Sequence, residues 1–195
     1  VVSLRDGTDL TMSLPWKPGN GLHFGLHPTD PAAKETASFA GPHTRSMQWK
    51  QGAWRFVVCT WKGRELALYV DGEPIDEREI PVAPHGSLQK AQLQFGRLSW
   101  SKLVLDEVRI LAEAMSPDQV REAYNRTEPA GPTVSTLLLD GFEAVQRTPS
   151  VLTTLPRISA DPSGANGYAS TGCQVVDGRF GKGLALYSAT EPTEE

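Results

Sequence analysis

The stretch that decides the fold is Trp54–Gly72, which reads WRFVVCTWKGRELALYVDG. β-Branched and aromatic residues fill Trp54–Trp61 without a helical period, and this pattern is typical of a buried β-strand. Gly63 lies in the polar run that follows, where glycine supplies the positive φ that a tight turn needs. Leu66–Val70 is then predicted to be the second arm of a hairpin, and the Asp-Gly pair after it begins another turn.

Short segments with the composition of strands continue on both sides of this hairpin. They are Leu10–Leu14, Gly21–Leu26, Glu73–Val82, Ala91–Phe95 and Lys102–Leu111. In the last of them apolar residues alternate up to Leu105 and resume at Val108, and this slip of one residue predicts a β-bulge. The close succession of strands and turns predicts an antiparallel meander.

One short helix is predicted from Ser116 to about Asn125. Ser116 suits the N-cap position, and the proline, aspartate and glutamine that follow it are typical of a first helical turn. Apolar residues then recur at helical spacing from Val120. Residues 127–135 are predicted to be a linker, because Thr127–Pro132 contains two prolines and a glycine.

The composition narrows the class of protein. The 195 residues carry 19 Lys and Arg against 23 Asp and Glu, a formal net charge of −4, whereas nucleic-acid binders usually carry a clustered basic patch. No run of about 18 apolar residues is present, so the sequence predicts no membrane span. With 18 glycines and 15 prolines, the composition is that of a turn-rich β protein. Because the chain begins at Val1 without a secretion signal, we expect a processed chain or a piece of a larger one.

The cysteines and histidines do not form a recognised chemical motif. Cys59 and Cys173 are too few for a disulfide framework or a cysteine zinc site. A single bridge between them stays open at this point, because spacing along the chain cannot test it. His23 and His27 are four residues apart on a predicted strand, about 13 Å, which is too far for shared metal ligation.

Several segments, in chain order, carry a resemblance to a known family. They are Gln51–Val57 (QGAWRFV), Thr60–Gly63 (TWKG), Leu68–Gly72 (LYVDG), Gln94–Arg97 (QFGR), and Leu105–Ile110 (LDEVRI) with Ala114–Val120 (AMSPDQV). These segments resemble motifs of the laminin-G-like, concanavalin-A-type jelly-roll family. The resemblance implies an all-β fold, an antiparallel β-sandwich (concanavalin-A-like jelly roll) with one short helix. The meander predicted from the residues alone agrees with that fold.

The resembling segments follow an unusual order along the chain. Residues 1–126 are similar to the later strands of such a domain, whereas residues 136–190 are similar to its opening strands, as in Leu138–Phe142 (LLDGF). Residues 136–190 therefore either complete the same sandwich or begin a second repeat. We favour completion of one sandwich, because a detached pair of strands is hardly stable alone. Residues 191–195 are predicted to be a frayed tail.

The acidic residues do not match a hydrolase pattern. Some relatives with this fold are glycoside hydrolases, and retaining enzymes of that type need two carboxylates about 5 Å apart. The glucanase pattern E-x-D-x-x-E differs in spacing from the acidic run at Glu73–Glu79, which Pro74 also interrupts. Asp106 and Glu107 are adjacent and would point to opposite faces of a regular strand. We therefore predict that the chain is not an enzyme.

The resemblance also implies candidate metal ligands. Relatives often bind calcium at the rim of the sandwich through an acidic residue and backbone carbonyls, and calcium takes hard oxygen ligands. By resemblance to first-strand and turn positions, Asp71, Asp106 and Asp140 are the candidate ligands. The Asp-Gly turns also have a purely conformational explanation.

The tryptophans divide into two groups. Sugar sites use exposed aromatic faces that stack on pyranose rings, with polar groups nearby. Trp16 and Trp100 lie beside prolines, lysines or serines in loop-like settings and are the candidate ligand-binding residues. Trp54 and Trp61 lie on predicted strand faces and are expected to pack in the core.

These observations favour a non-catalytic module of a larger extracellular or cell-envelope protein. Its partner would be a glycan or a protein, or the module would serve as a spacer between other domains. The alternative is an accessory or catalytic domain of a carbohydrate-active enzyme of the glycoside hydrolase type. This step from fold to function is by analogy with the family.

Overall fold

The computed structural model describes residues 2–6, 8–13, 22–28, 42–44, 50, 52–81, 83, 92–95, 103–129, 136–140, 145–147, 152–154, 158–159, 167–169 and 173–186. These residues form sixteen β-strands and one α-helix, and the strand pairings among them are antiparallel. Within the same residues, no helix has the length and apolar character needed to cross a membrane. The chain divides into two compact units, each of which draws on two stretches of sequence.

The first unit comprises residues 1–97 and 114–125. Its elements are β1 (Val2–Asp6), β2 (Thr8–Ser13), β3 (His23–Pro28), β4 (Val57–Lys62), β5 (Glu65–Val70), β6 (Glu73–Glu79), β7 (Gln92–Phe95) and α1 (Pro117–Tyr124). One sheet has the strand order β3-β2-β1-β7, and the other has the order β4-β5-β6.

The second unit comprises residues 98–113 and 126–195. Its strands are β8 (Leu103–Leu105), β9 (Val108–Leu111), β10 (Thr136–Asp140), β11 (Val145–Arg147), β12 (Leu152–Thr154), β13 (Ile158–Ser159), β14 (Gly167–Ala169), β15 (Cys173–Asp177) and β16 (Lys182–Leu186). They form three sheets of three strands, with the orders β13-β10-β9, β11-β12-β14 and β15-β16-β8. In this unit, strands after the predicted linker therefore pair with strands before it. The assignment of residues 136–190 to one sandwich stays a prediction.

The hairpin at the centre of the sequence is confirmed as β4 and β5. Gly63 in its turn has φ 59°, as the turn chemistry predicts. Directly opposite residues share a face of the sheet, and on the inner face the pairs are Val57–Val70, Cys59–Leu68 and Trp61–Leu66. The turn after β5 is also confirmed, with φ 52° at Asp71 and 85° at Gly72. Two consecutive positive φ angles are those of a type I′ turn, which matches the twist of the flanking strands.

The inner face of β4 and β5 is covered by the start of β3. Leu22 and Phe24 are almost fully buried against it. The rings of Phe24 and Trp61 lie 6.5 Å apart between centroids, a tilted arrangement that aromatic pairs favour. Each buried leucine or phenylalanine side chain of this kind stabilises the fold by roughly 1.5–3 kcal/mol.

Cys59 lies in this core and, within the described residues, is not part of a disulfide. Burial raises the pKa of the Cys59 thiol, because a thiolate would be poorly solvated there. The residue therefore packs as a small neutral side chain rather than as a reactive nucleophile.

The helix α1 begins as the sequence predicts. The Ser116 side chain accepts a hydrogen bond from the backbone N–H of Gln119 (3.3 Å), and the Gln119 side-chain oxygen accepts one from the Ser116 N–H (2.8 Å). This reciprocal capping box satisfies two N–H groups that a helix end otherwise leaves without partners. Val120, one turn further on, is fully buried.

Replacing Ser116 with alanine is expected to lower the free energy of unfolding by about 1 kcal/mol, because the cap loses its side-chain acceptor. Chemical denaturation followed by circular dichroism measures the change. Ser116→Asp retains an acceptor at the same position and is expected to restore most of the loss. Equal stability of the alanine and aspartate variants would show that the capping bond contributes nothing.

The prediction of a β-bulge after Leu105 is wrong, because the chain changes sheets at this point. β8 pairs with β16, whereas β9 pairs with β10, so the two segments belong to different sheets of the second unit. Glu107, between them, has φ 50°, in the left-handed region that redirects the chain. The slip in the apolar alternation therefore marks the place where the chain leaves one sheet for another rather than an extra residue within one strand.

Candidate functional site

The predicted ligand-binding residues Trp16 and Trp100 lie outside the described residues, so their assignment stays a prediction. The three predicted calcium ligands fall within the described chain. Asp71 belongs to the first unit, and Asp106 and Asp140 belong to the second. Within the part of the chain that the structure describes, no group of three His, Cys, Asp or Glu side chains is arranged to hold a metal ion.

The Asp71 carboxylate is held by two partners at the end of the β4–β5 hairpin. Its Oδ1 accepts a hydrogen bond from the Phe56 N–H (3.0 Å), and its Oδ2 accepts one from Arg55 Nη1 (2.5 Å). The Asp71 N–H in turn donates to the Phe56 carbonyl at 2.8 Å. Both oxygens of Asp71 are thus used in closing the hairpin, and this explains the aspartate of the LYVDG segment without a metal.

Asp106 anchors the turn between β15 and β16. Its Oδ2 accepts a hydrogen bond from the Phe180 N–H at 2.9 Å. The turn packs so closely that a Cβ added to Gly178 would lie 2.6 Å from the same oxygen. The other oxygen, Oδ1, is buried and has no hydrogen-bond partner among the described residues. A buried carboxylate oxygen without a partner is costly unless a water molecule or an ion satisfies it.

Trp54 is exposed, contrary to the prediction that it packs in the core. Its side chain is 39% exposed, whereas Trp61 on the same stretch of chain is partly buried in the core cluster. The reason is that β4 begins only at Val57, so Trp54 lies before the paired and covered part of the strand. Ile75 is the other large apolar side chain that is exposed among the described residues.

The segment that carries Trp54 is fixed on both sides although it is not a strand. Before it, the Ala53 N–H donates to the Lys50 carbonyl (3.2 Å), closing a turn in which Gly52 has φ 78°. After it, Arg55 and Phe56 are bonded to Asp71. The indole is therefore carried by a segment whose backbone is hydrogen-bonded on both sides of it, at Ala53 and at Phe56.

An aromatic contact supports the same end of the hairpin from the side of α1. The rings of Phe56 and Tyr124 lie 6.1 Å apart between centroids. Tyr124 also lies over Gly72, where an added Cβ would be 3.0 Å from Tyr124 Cδ1. The turn, the strand start and the helix are thus packed together, and Trp54 extends from this support into solvent.

Arg55, which follows Trp54 in the chain, forms an ion pair with Asp71. The two side chains are 30% and 23% exposed, so neither is fully solvated. Arg55 Nε is buried and has no hydrogen-bond partner among the residues that the structure describes. Trp54 with this arginine and aspartate is termed the Trp54 site below.

Asp76 and Glu79 on β6 are engaged in ion pairs. Asp76 accepts hydrogen bonds from Arg78 Nε (2.9 Å) and the His43 N–H (3.1 Å), while Glu79 pairs with Arg64. Burial alone would raise the pKa of Asp76, but the backbone hydrogen bond from His43 and the Arg78 guanidinium hold it below its usual value. Asp76 is therefore ionised at neutral pH and unsuited to donating a proton to a glycosidic oxygen.

The antiparallel sheets and the short capped helix define the class: an all-β protein of the sandwich type. A family model described as the concanavalin A-like lectin/glucanases superfamily, of laminin-G type, matches residues 2–121. The chain therefore belongs to this superfamily and has its antiparallel β-sandwich fold, as the resembling segments of the sequence predicted. Comparison with curated proteins and with solved structures gave no match.

Proposed function

We propose that this chain is a non-catalytic binding module of a larger extracellular or cell-envelope protein, and that its ligand is a glycan. Membership of a superfamily that includes lectins supports a binding or glycan-related role. The observation that carries the proposal is the exposed indole of Trp54, on a segment whose backbone is hydrogen-bonded on both sides of it. A protein ligand and a spacer role are the competing outcomes of the experiment below.

The physical argument starts from the surface that a sugar presents. One face of a pyranose ring is lined with C–H groups and stacks on an aromatic ring, while its hydroxyls need hydrogen-bonding groups at the edge. Trp54 offers the aromatic face, and Arg55, the next residue in the chain, carries a charged side chain that is paired with Asp71. Because the backbone of this segment is already held, little conformational entropy remains to be lost on binding.

The test is a glycan-array screen of the purified chain, followed by titration of the glycans that bind. We expect saturable binding, and we expect Trp54→Ala to weaken it by about tenfold or more, the size of effect typical of a central aromatic contact. Trp54→Phe retains a smaller aromatic face and is expected to lose less. Ile75→Ala is the matched control, because Ile75 is equally exposed at 39%.

Three outcomes would contradict the proposal in different ways. Binding that Ile75→Ala weakens but Trp54→Ala does not would place the ligand elsewhere on the first unit. Absence of binding by a well-folded sample would leave the protein-ligand or spacer role. Conversion of a bound glycan into shorter products would favour the alternative, a domain of a carbohydrate-active enzyme.

We also propose calcium as an optional ligand, held by Asp106 and Asp140. Asp106 Oδ1 is a buried oxygen without a hydrogen-bond partner among the described residues, and a carboxylate of this kind suits a hard cation. Asp140 pairs with Val108 in the β9–β10 ladder, and Val108 lies two residues after Asp106 in the chain. Running the array with calcium and with a chelator tests this. A Tm that calcium raises in the unaltered chain but not in Asp106→Asn is the supporting result, and equal Tm values would exclude it.

A further inference from the structure

His23 and His43 lie directly opposite each other in the first unit. They form an antiparallel bridge outside the longer ladders. Two main-chain hydrogen bonds, each 2.9 Å, join the residues on either side of the pair rather than the pair itself. This is the non-hydrogen-bonded type of pair, in which the Cα atoms are about 4.5 Å apart and the side chains are closest. The two Cβ atoms are then about 4.5–5.5 Å apart on one face.

The face that carries both imidazoles is the outer one. Leu22, Phe24 and Thr44, which flank the pair, are buried toward the core. Since side chains alternate between faces along extended chain, the two histidines point away from that core. His23 is partly buried and the His43 side chain is 42% exposed. Solvent thus reaches the pair from one side.

Gly25 provides the space that the His23 ring occupies. A Cβ added to Gly25 would lie 2.5 Å from His23 Cε1, which is closer than any real contact. The imidazole therefore occupies the space over Gly25. A residue with a side chain at position 25 would collide with it. The ring position is determined by the strand itself, which limits the freedom that the side chain would lose on binding an ion.

Asp76 on β6 orients the second imidazole. Its Oδ2 lies 3.7 Å from His43 Nδ1, and the same oxygen accepts hydrogen bonds from the His43 N–H and from Arg78. A carboxylate beside Nδ1 favours the proton on that nitrogen and leaves Nε2 with its lone pair. Metal-binding histidines commonly have a carboxylate beside the ring nitrogen that does not bind the metal.

We propose that His23 and His43 together bind a divalent transition-metal ion, with Asp76 as the positioning residue. Imidazole nitrogens suit Cu²⁺, Ni²⁺ and Zn²⁺, whereas calcium prefers oxygen ligands, so this site differs in chemistry from the one at Asp106. Because the described residues contain no preassembled group of three ligands, water or an external donor completes the coordination. Of the three ions, Cu²⁺ is expected to bind most tightly.

The experiment uses the full, tag-free chain, because a polyhistidine tag would bind the same ions. Isothermal titration with Cu²⁺, Ni²⁺ and Zn²⁺ is expected to give one site per chain. Either His23→Gln or His43→Gln should weaken binding by at least about tenfold, and Asp76→Asn should weaken it by about 10- to 100-fold while both imidazoles remain. The Cu²⁺ complex should show two coupled nitrogens by electron paramagnetic resonance.

His27→Gln is the matched control, since His27 lies four residues along the same strand, about 13 Å from His23. It should bind as the unaltered chain does. The circular dichroism spectrum of each metal-free variant shows whether the fold is retained, and the nitrogen count supplies a readout that a folding defect does not imitate. Unchanged binding in both folded His23 and His43 variants, or loss of binding only in His27→Gln, would overturn the proposal.

Discussion

Leu68→Ala is expected to lower the free energy of unfolding by about 3 kcal/mol. Leu68 is fully buried on β5, in a cluster with Leu22 and Val70. Truncation removes the apolar surface of the side chain from the core, and it also leaves a cavity, because paired strands cannot move inward to fill it. Denaturation in urea, monitored by intrinsic fluorescence and circular dichroism, measures the loss.

Ile75→Ala is the control for this variant. It removes a similar side chain, but Ile75 is 39% exposed on β6, so a change within about 0.5–1 kcal/mol is expected. The contrast between the two variants isolates burial from side-chain size. A loss below about 1 kcal/mol for Leu68→Ala would mean that the β4–β5 hairpin does not form the core of the first unit.

Gly72→Ala is expected to cost about 2–3 kcal/mol, for two reasons that can be separated. Its φ of 85° lies in the left-handed region, where an alanine is strained by roughly 1–2 kcal/mol. The new Cβ would in addition lie 3.0–3.3 Å from three atoms of Tyr124, which must move aside. The substitution therefore weakens the contact between the turn and α1, which packs beside the Trp54 site.

Gly63→Ala measures the first of these causes alone. Gly63 has φ 59° in the neighbouring turn, and an added Cβ would meet nothing within 4 Å. The difference between the two glycine variants is therefore the cost of displacing Tyr124. That difference should shrink when both are made in a Tyr124→Ala background. Equal losses for both variants in the unaltered background would refute the contact.

Features that depend on a few adjacent residues were predictable. The β4–β5 hairpin follows from a β-branched run, a glycine turn and a second apolar run, and the type I′ turn follows from the Asp71-Gly72 pair. The capped start of α1 follows from Ser116 and Gln119. In each case the deciding physics is steric or a hydrogen bond between residues close in the chain, so it is visible in the sequence.

Features that depend on distant segments were not predictable in the same way. The slip after Leu105 predicted a bulge, but only the pairing of β8 with β16 and of β9 with β10 shows that two sheets meet there. The aromatic run predicted a buried Trp54, but exposure depends on where the covering segment ends. Neither outcome leaves a local signal, because both depend on which other segments of the chain pair with the strand or cover it.

The candidate sites show the same division. Sequence reasoning selected Asp71 and Asp106 by resemblance, and the structure supplies their partners, the Phe56 and Phe180 N–H groups. It set His23 and His27 aside as too far apart on one strand, and it had no means of bringing His43 opposite His23. The signal for that pair is a β-bridge across a separation of twenty residues, which no periodicity of the sequence contains.

The sequence by itself determined the type of each local element, the turns and helix cap that join them, and the superfamily to which the chain belongs. Only the tertiary structure decided which faces are covered, which carboxylate oxygens find partners, and where Trp54 and the two histidines are presented. The physical reason is that backbone sterics act between neighbours in the chain, whereas burial and side-chain pairing arise between segments that folding alone brings together.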